Sequence, residues 1–88
     1  MKLLYCPDCY DIKRLSLENV YCYCGNSWAR VKTDFLHAVF GGKAVPVGIA
    51  NESFGTAIRN RPQSGLGSEF KAFVIPSECE TLEYEQRT

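Results

Sequence analysis

The sequence predicts an α+β protein in which short antiparallel strands are accompanied by one short helix. Short segments of alternating or continuous apolar residues recur between Gly, Pro and Asn residues, a pattern typical of strands. Only residues 51–60 carry apolar side chains at helical spacing. Eighty-eight residues suit a single domain with a modest core, and two close pairs of cysteines near its start can compensate for that small core.

The cysteine pairs predict a metal site. Cys6 and Cys9 are separated by two residues, and Cys22 and Cys24 by one. Two such pairs can present four thiolates to one tetrahedral ion, as structural zinc requires. The total of five cysteines is odd, and an i, i+2 pair is poorly placed for a mutual disulfide, so reduced thiols are favoured. We therefore expect these four cysteines to bind one Zn²⁺.

Zinc is favoured over iron because the doubled Cys-x-x-Cys-Gly of rubredoxin-like iron centres is absent. Four thiolates leave no open coordination position for water, which indicates a structural ion and no catalytic one. A structural zinc contributes an apparent ~10–16 kcal/mol, against ~5–15 kcal/mol for the stability of a small domain. Chelation is therefore expected to unfold the N-terminal region.

The residues around the cysteines predict strands. Residues 11–17 and 20–22 are expected to form an antiparallel hairpin around a turn at 18–19, with a further strand at 27–32. Gly25 follows the second cysteine pair, where a positive φ lets backbone N–H groups point at a thiolate. Trp28 is expected to cover one side of the metal site.

Residues 3–32 resemble a zinc ribbon, in which two cysteine knuckles join the hairpins of a small antiparallel sheet around one zinc. The resemblance implies metal binding and no particular activity. The one-residue gap between Cys22 and Cys24 and the twelve-residue loop between the pairs depart from the usual pattern. The Cys-x-Cys-Gly arrangement also resembles that of small uncharacterised bacterial proteins, which implies no function.

Residues 33–85 predict a β-β-α-β part that continues the ribbon within one domain spanning residues 1–88. Residues 35–40 and 44–50 are expected to form a hairpin around Gly41-Gly42. Pro46 and Gly48 make the return strand an edge or bulged strand, because proline removes a ladder donor.

The helix is predicted over residues 51–60, with Asn51 as its N-cap and Pro62 as its stop. A loop at 61–68 leads to residues 70–75, whose apolar side chains on both faces predict an interior strand. A last exposed strand is expected at 81–84.

Three further features are candidates for chemistry. His37 shares a strand face with apolar neighbours, which favours a structural role over a general base or ligand. Cys79 is interpreted as a semi-buried small residue in preference to a substitute ligand or a labile thiol. The glycine loop 65–68, beside Arg59 and Arg61, follows a helix and precedes a strand, the reverse of phosphate-binding loops, so an ordinary connection is favoured.

The charge balance limits the function classes. Ten basic and ten acidic residues cancel, so no overall field attracts nucleic acid or an anionic membrane. No export signal and no long apolar stretch is present, and a soluble cytoplasmic protein without membrane contact is expected. Aromatic and basic residues are nevertheless mixed around the cysteines: Tyr5, Tyr10, Lys13, Arg14, Tyr21, Tyr23, Trp28, Arg30 and Lys32.

This mixture suits a protein partner, stacking on unpaired bases, or simple shielding of the metal. The expected function is a non-catalytic, zinc-stabilised binding or adaptor module with a protein partner. A nucleic-acid-binding zinc ribbon is the first alternative. The second is a small enzyme that uses His37, the glycine loop 65–68 and Cys79.

Overall fold

The computed structural model describes residues 1–85, which form an α+β fold, as predicted. Strands predominate, and a single helix accompanies them within these residues. The elements are β1 (Lys2–Tyr5), β2 (Ile12–Arg14), β3 (Val20–Tyr21), β4 (Ser27–Val31), β5 (Ala38–Gly42), β6 (Val45–Ile49), α1 (Asn51–Arg59), β7 (Ala72–Val74) and β8 (Leu82–Glu85).

The strands form two four-stranded sheets. The first has the order β2-β1-β6-β7 and is antiparallel throughout. The second has the order β3-β4-β5-β8, in which only β8 runs parallel to its neighbour β5. β1 and β4, from the cysteine-containing part, each pair with a strand from the later part of the chain.

Both sheets contribute to one apolar core. Leu4 of β1 and Phe40 of β5 are completely buried. The buried cluster consists of Leu4, Leu15, Ala29, Val31, Ala38, Phe40, Ile75 and Leu82. These side chains come from β1, β4, β5 and β8 and from the residues directly after β2 and β7.

The predicted hairpin of residues 11–17 and 20–22 is wrong. β2 pairs with β1, and β3 pairs with β4. Each cysteine pair lies in the connection between the two strands of one hairpin, so the segment between the pairs links two hairpins and does not form one itself. The alternation of residues 11–17 indicated a strand correctly but contained no information about its partner.

The predicted hairpin around Gly41-Gly42 is also wrong. Both glycines belong to β5, which lies in a different sheet from β6, and Lys43 and Ala44 carry the chain across. A Cβ atom at Gly41 would lie 2.1 Å from the Trp28 ring, so this glycine is needed for a close approach of two strands. A glycine pair at a strand end can therefore serve packing as well as a turn.

β5 begins later than predicted, because residues 34–37 form a turn. The Asp34 carboxylate accepts hydrogen bonds from the backbone N–H groups of Leu36 and His37, each at 2.9 Å. Phe35 takes a left-handed conformation with φ 56°. An aspartate that bonds to the backbone two and three residues later stops the apolar run from extending the strand.

The helix is confirmed at Asn51–Arg59, but its predicted cap is wrong. Ala50 occupies the N-cap position and provides no side-chain cap. The Asn51 side chain instead accepts a hydrogen bond of 2.9 Å from the Met1 ammonium group. The helix is held by tertiary contacts, including the Phe54 and Phe70 rings, whose centroids are 4.6 Å apart.

The last two strands differ from one another. β7 was predicted to be interior, but it forms an edge of the first sheet and its three residues are exposed. Its apolar character on both faces therefore does not reflect burial. β8 is confirmed as a strand, with Leu82 buried and the remaining residues exposed.

Candidate metal centre

Four cysteines meet at the ends of two hairpins. Cys6 and Cys9 lie between β1 and β2, and Cys22 and Cys24 lie between β3 and β4. Their four sulfur atoms all lie within 4.8 Å of one another. The Sγ atoms of Cys6 and Cys24 are 3.7 Å apart, and those of Cys22 and Cys24 are 3.6 Å apart. These separations are too long for disulfides.

The spacing suits a tetrahedral ion. With a Zn–S distance of ~2.3 Å, the edge of a tetrahedron of sulfur atoms is ~3.8 Å. The separations of 3.6 Å and 3.7 Å are close to that value. Thiolates are the ligands that both zinc and iron–sulfur centres prefer. The chemistry and the spacing of the donors therefore fit a single thiolate-bound metal ion.

The cluster lies partly at the surface. Cys6 and Cys22 are buried, Cys9 is half-buried, and Cys24 is exposed. One buried and one less buried sulfur come from each hairpin. This arrangement is compatible with a zinc-ribbon-like site, in which each hairpin turn contributes two ligands.

Backbone geometry directs donors toward the sulfurs. The Ser27 backbone N–H donates to Cys22 Sγ at 3.3 Å, and the Gly25 N–H donates to the Cys22 carbonyl at 3.0 Å. Gly25 has φ 79°, which confirms the positive φ predicted for it. N–H groups that point at sulfur stabilise thiolates and orient them toward a metal.

Tyr10 is the counterpart of Gly25 in the first knuckle. It follows Cys9, donates its backbone N–H to the Cys6 carbonyl at 2.8 Å, and has φ 60°. The turn at this knuckle was predicted from Pro7, but its left-handed residue was missed because that residue is a tyrosine. For a non-glycine residue such a conformation costs roughly 1–2 kcal/mol. Tyr10 and Gly25 both directly follow the second cysteine of a pair, and this shared position was the signal that could have predicted a positive φ at Tyr10.

The thiols influence one another's ionisation. The buried Ser27 hydroxyl has no oxygen or nitrogen partner among residues 1–85, and its interaction with Cys6 is the main cause that lowers the pKa of that thiol to about 6. Backbone N–H groups of Cys9 and Asp8 act in the same direction. Burial opposes ionisation of Cys22, but the Ser27 N–H and the Cys24 thiol lower its pKa overall.

Cys24 behaves in the opposite way. The strongest single influence, a backbone hydrogen bond from Asn26, lowers its pKa, but desolvation and the three neighbouring cysteines together raise it to about 12. Four thiols so close together cannot all ionise in the absence of a cation, because each thiolate disfavours the next. A divalent cation removes this repulsion and allows full ionisation.

Side chains bridge the two knuckles. The Asp11 carboxylate accepts a hydrogen bond from the Tyr23 backbone N–H at 2.8 Å, while the Asp11 carbonyl accepts from the Cys6 N–H at 3.0 Å. The Asp8 carboxylate accepts from the Asn26 side chain at 3.1 Å and pairs with Lys43 at 3.0 Å. The relative position of the cysteine pairs is therefore held by polar contacts as well as by the sheets.

Trp28 was expected to cover the metal site. Its buried ring contacts Gly41 and lies 5.6 Å from the guanidinium carbon of Arg30. The contact with Gly41 places the ring against β5. That the ring also covers the sulfur atoms stays a prediction.

His37 and Cys79 lie outside the cysteine cluster, in the connections that precede the neighbouring strands β5 and β8, so His37 is not on a strand, contrary to the prediction. The backbone N–H groups of His37 and Leu36, followed by the His37 ring, whose Nδ1 atom lies 2.5 Å from the carboxylate, hold the Asp34 pKa well below its usual range. Cys79 is half-buried, as predicted, and its sulfur lies 3.3 Å from the Thr81 hydroxyl. Within residues 1–85 no hydrogen bond joins the His37 and Cys79 side chains.

The glycine loop 65–68 is exposed. Gly67 and Ser68 line a shallow cavity of about 250 Å³ beside α1, together with Phe54, Ile58, Arg61 and Phe70. His37 is not among its lining residues. The Ser68 hydroxyl donates to the Asn60 carbonyl at 3.1 Å, so this side chain ties the loop to the end of the helix.

Comparisons with known proteins contribute no family: no family model matches the chain, and no curated protein or solved structure resembles it significantly. The four sulfurs are therefore the main guide to function. In the part of the chain that the structure describes, no helix is long and apolar enough to span a membrane.

Proposed function

We propose that the four cysteines bind one structural Zn²⁺, and that the protein is a non-catalytic binding module which contacts a protein partner through the exposed tips of its knuckles. The single observation that carries the proposal is the convergence of four sulfur atoms within 4.8 Å of one another. Zinc is preferred because it requires no redox chemistry and takes four thiolates as a closed tetrahedron. A closed site favours a structural role.

The contact surface consists of Tyr10 and Tyr23, which we call the knuckle tyrosines. Tyr10 is 76% exposed and Tyr23 is 90% exposed. Each is adjacent to metal-ligating cysteines, so bound metal would fix the backbone from which both rings project. Tyrosine is enriched among the residues that dominate protein interfaces, and a rigid contact residue loses little entropy on binding.

The strained backbone of Tyr10 supports the same interpretation. A glycine would take its left-handed conformation at no steric cost, yet an exposed aromatic residue occupies the position. Backbone strain of this kind is concentrated at functional sites, where the surrounding structure holds it in place.

A protein partner is favoured over nucleic acid because of charge. Lys13 and Lys43, which flank the knuckles, form ion pairs with Asp11 at 3.7 Å and with Asp8 at 3.0 Å. The whole chain has zero net charge. Single-stranded nucleic acid requires unpaired cations beside its stacking residues, because phosphate contacts dominate its affinity.

Elemental analysis and native mass spectrometry of protein purified without added metal test the first part. One zinc per chain is expected, and metal-free protein with cooperative melting would overturn the proposal.

A pull-down tests the second part, with the zinc-loaded protein as bait. A Tyr10→Ala/Tyr23→Ala double variant is compared with the wild type, and a Phe35→Ala/Leu66→Ala double variant is the control because those two side chains are also exposed. A specific protein partner lost only with the knuckle variant is expected.

A titration with single-stranded DNA and RNA at several salt concentrations distinguishes the nucleic-acid alternative. Binding that weakens steeply as salt increases, and that depends on the knuckle tyrosines, would replace the protein partner with nucleic acid.

A further inference from the structure

We infer that Asp8, Asn26 and Lys43 form a polar clamp that positions the two cysteine pairs for the metal, so that the crossover between β5 and β6 controls how tightly the ion is held. The inference rests on the proposed metal function. It assigns these three residues as positioning residues, since none of them supplies a metal ligand.

Three separate segments meet at the clamp. Asp8 lies between Cys6 and Cys9, Asn26 follows the second pair, and Lys43 lies on the crossover between the sheets. One oxygen of Asp8, Oδ2, pairs with Lys43 Nζ at 3.0 Å and accepts a hydrogen bond from Asn26 Nδ2 at 3.1 Å. The clamp therefore joins both knuckles to the crossover through a single carboxylate oxygen.

The backbone reinforces this junction. The Lys43 N–H donates to the Asn26 carbonyl at 3.1 Å. Gly42, directly before it, has φ 65°, and a Cβ atom at this position would lie 2.1 Å from the same carbonyl oxygen. Glycine is thus required for the crossover to approach the second knuckle this closely.

The clamp pairs opposite charges. The Lys43 ammonium group and the Asp8 carboxylate form an ion pair, and the neutral Asn26 amide donates to the same carboxylate.

Two roles for Lys43 predict opposite effects of substituting Asp8. If Lys43 acted only by offsetting the negative charge of four thiolates, loss of the Asp8 carboxylate would leave metal affinity unchanged or increase it. If the clamp holds the knuckles at metal-binding spacing, loss of either partner weakens binding. The direct contacts between the knuckles favour the clamp.

Cobalt titration of the apo protein measures affinity and coordination together, because Co²⁺ bound by four thiolates has a distinctive visible absorption. We expect Lys43→Met and Asp8→Asn each to raise the Co²⁺ Kd about three- to tenfold. This increase is larger than the loss of a typical exposed ion pair would cause and smaller than the loss of a residue that hydrogen-bonds directly to a metal ligand would cause. The double variant should bind Co²⁺ only slightly more weakly than either single variant, because both substitutions remove the same ion pair between Asp8 and Lys43. Lys43→Arg should retain most of the affinity.

Lys32→Met is the matched control. It removes an ion pair of 2.8 Å with Glu83 that links the end of β4 to β8 and involves no knuckle residue. Its Co²⁺ Kd should equal that of the wild type. Zinc release to a competing chelator should be faster in the two clamp variants and unchanged in the control.

Each outcome is decisive. Unchanged or tighter binding by Asp8→Asn, or equal Kd values for Lys43→Met and Lys32→Met, would overturn the clamp while leaving the metal site intact. A wild-type protein that gives no tetrathiolate cobalt spectrum would overturn the metal function, and the clamp with it.

Discussion

The cysteine centre and the apolar core hold this small molecule together in different ways. In the knuckle segments 6–11 and 22–26, the only buried side chains are those of Cys6 and Cys22. In the sheets, Leu4, Ala29, Ala38 and Phe40 are completely buried. Burial of apolar surface stabilises the sheets, whereas the knuckles have polar contacts and, under the proposed function, metal coordination. Removal of metal should therefore affect the first region far more than the second.

Metal removal gives the largest expected effect. In excess chelator, the knuckle amides of Cys6, Tyr10 and Cys22, all hydrogen-bonded here, should exchange with solvent at least about 100-fold faster, because the proposed zinc would contribute a large share of local stability. Amides of β5 should remain protected. Hydrogen–deuterium exchange with mass spectrometry, with and without chelator, measures both regions in one experiment.

Cys24→Ser and Cys79→Ser are the variants for this comparison. The first should reproduce the effect of the chelator, and the second should not, because Cys79 lies outside the cluster. If β5 lost protection together with the knuckles, the two regions would form one cooperative unit and the contrast between them would fail.

A core substitution tests the other region. Phe40→Ala removes a completely buried ring and should lower the free energy of unfolding by ~3–5 kcal/mol. Chemical denaturation of the zinc-loaded protein, followed by circular dichroism, gives the value. The same substitution at Phe35, which is 71% exposed, should change stability by less than about 0.5 kcal/mol. Equal effects at both positions would contradict the described core.

Tyr10→Gly sharpens the comparison within the cysteine centre. The variant relieves the left-handed strain at φ 60° and should stabilise the zinc-loaded protein by up to about 1 kcal/mol, after allowance for the greater freedom of glycine in the unfolded chain. Tyr23→Gly should give no such gain, since Tyr23 does not have a positive φ. A destabilised Tyr10→Gly protein would mean that the ring makes stabilising contacts in the isolated chain.

The smallest predicted effect concerns acid sensitivity near β5. The Asp34 pKa is lowered by the His37 and Leu36 N–H groups and the His37 ring, so the carboxylate stabilises the fold above its unfolded pKa of ~3.9. This contribution is lost as pH decreases through the lowered folded value. The melting temperature of wild type minus that of Asp34→Asn should be positive and constant above about pH 5, and should decrease below pH ~4.

The proposed metal would be released from both proteins over the same acidic range, so the difference between their melting temperatures isolates the carboxylate. A difference that grew as pH decreased would contradict the direction of the Asp34 shift.

Local features of the chain were predictable, and their partners were not. The α+β class, the positive φ at Gly25, the helix near 51–59 and the convergence of the cysteine pairs all follow from patterns within a few residues. The helix cap was missed because Asn51 binds the Met1 ammonium, a group 50 positions away. β7 was wrongly predicted to be an interior strand, because apolar side chains favour a strand but do not determine whether it has one or two neighbouring strands.

The sequence by itself determined that four thiols would be available in two pairs, since covalent spacing keeps the members of each pair close. Only the tertiary structure decided that the pairs belong to two different hairpins, and that Gly41, Gly42 and Lys43 lead from one sheet to the other beside the second knuckle. Pairing between distant strands depends on the total burial achieved by both sheets together. No short stretch of residues contains that information.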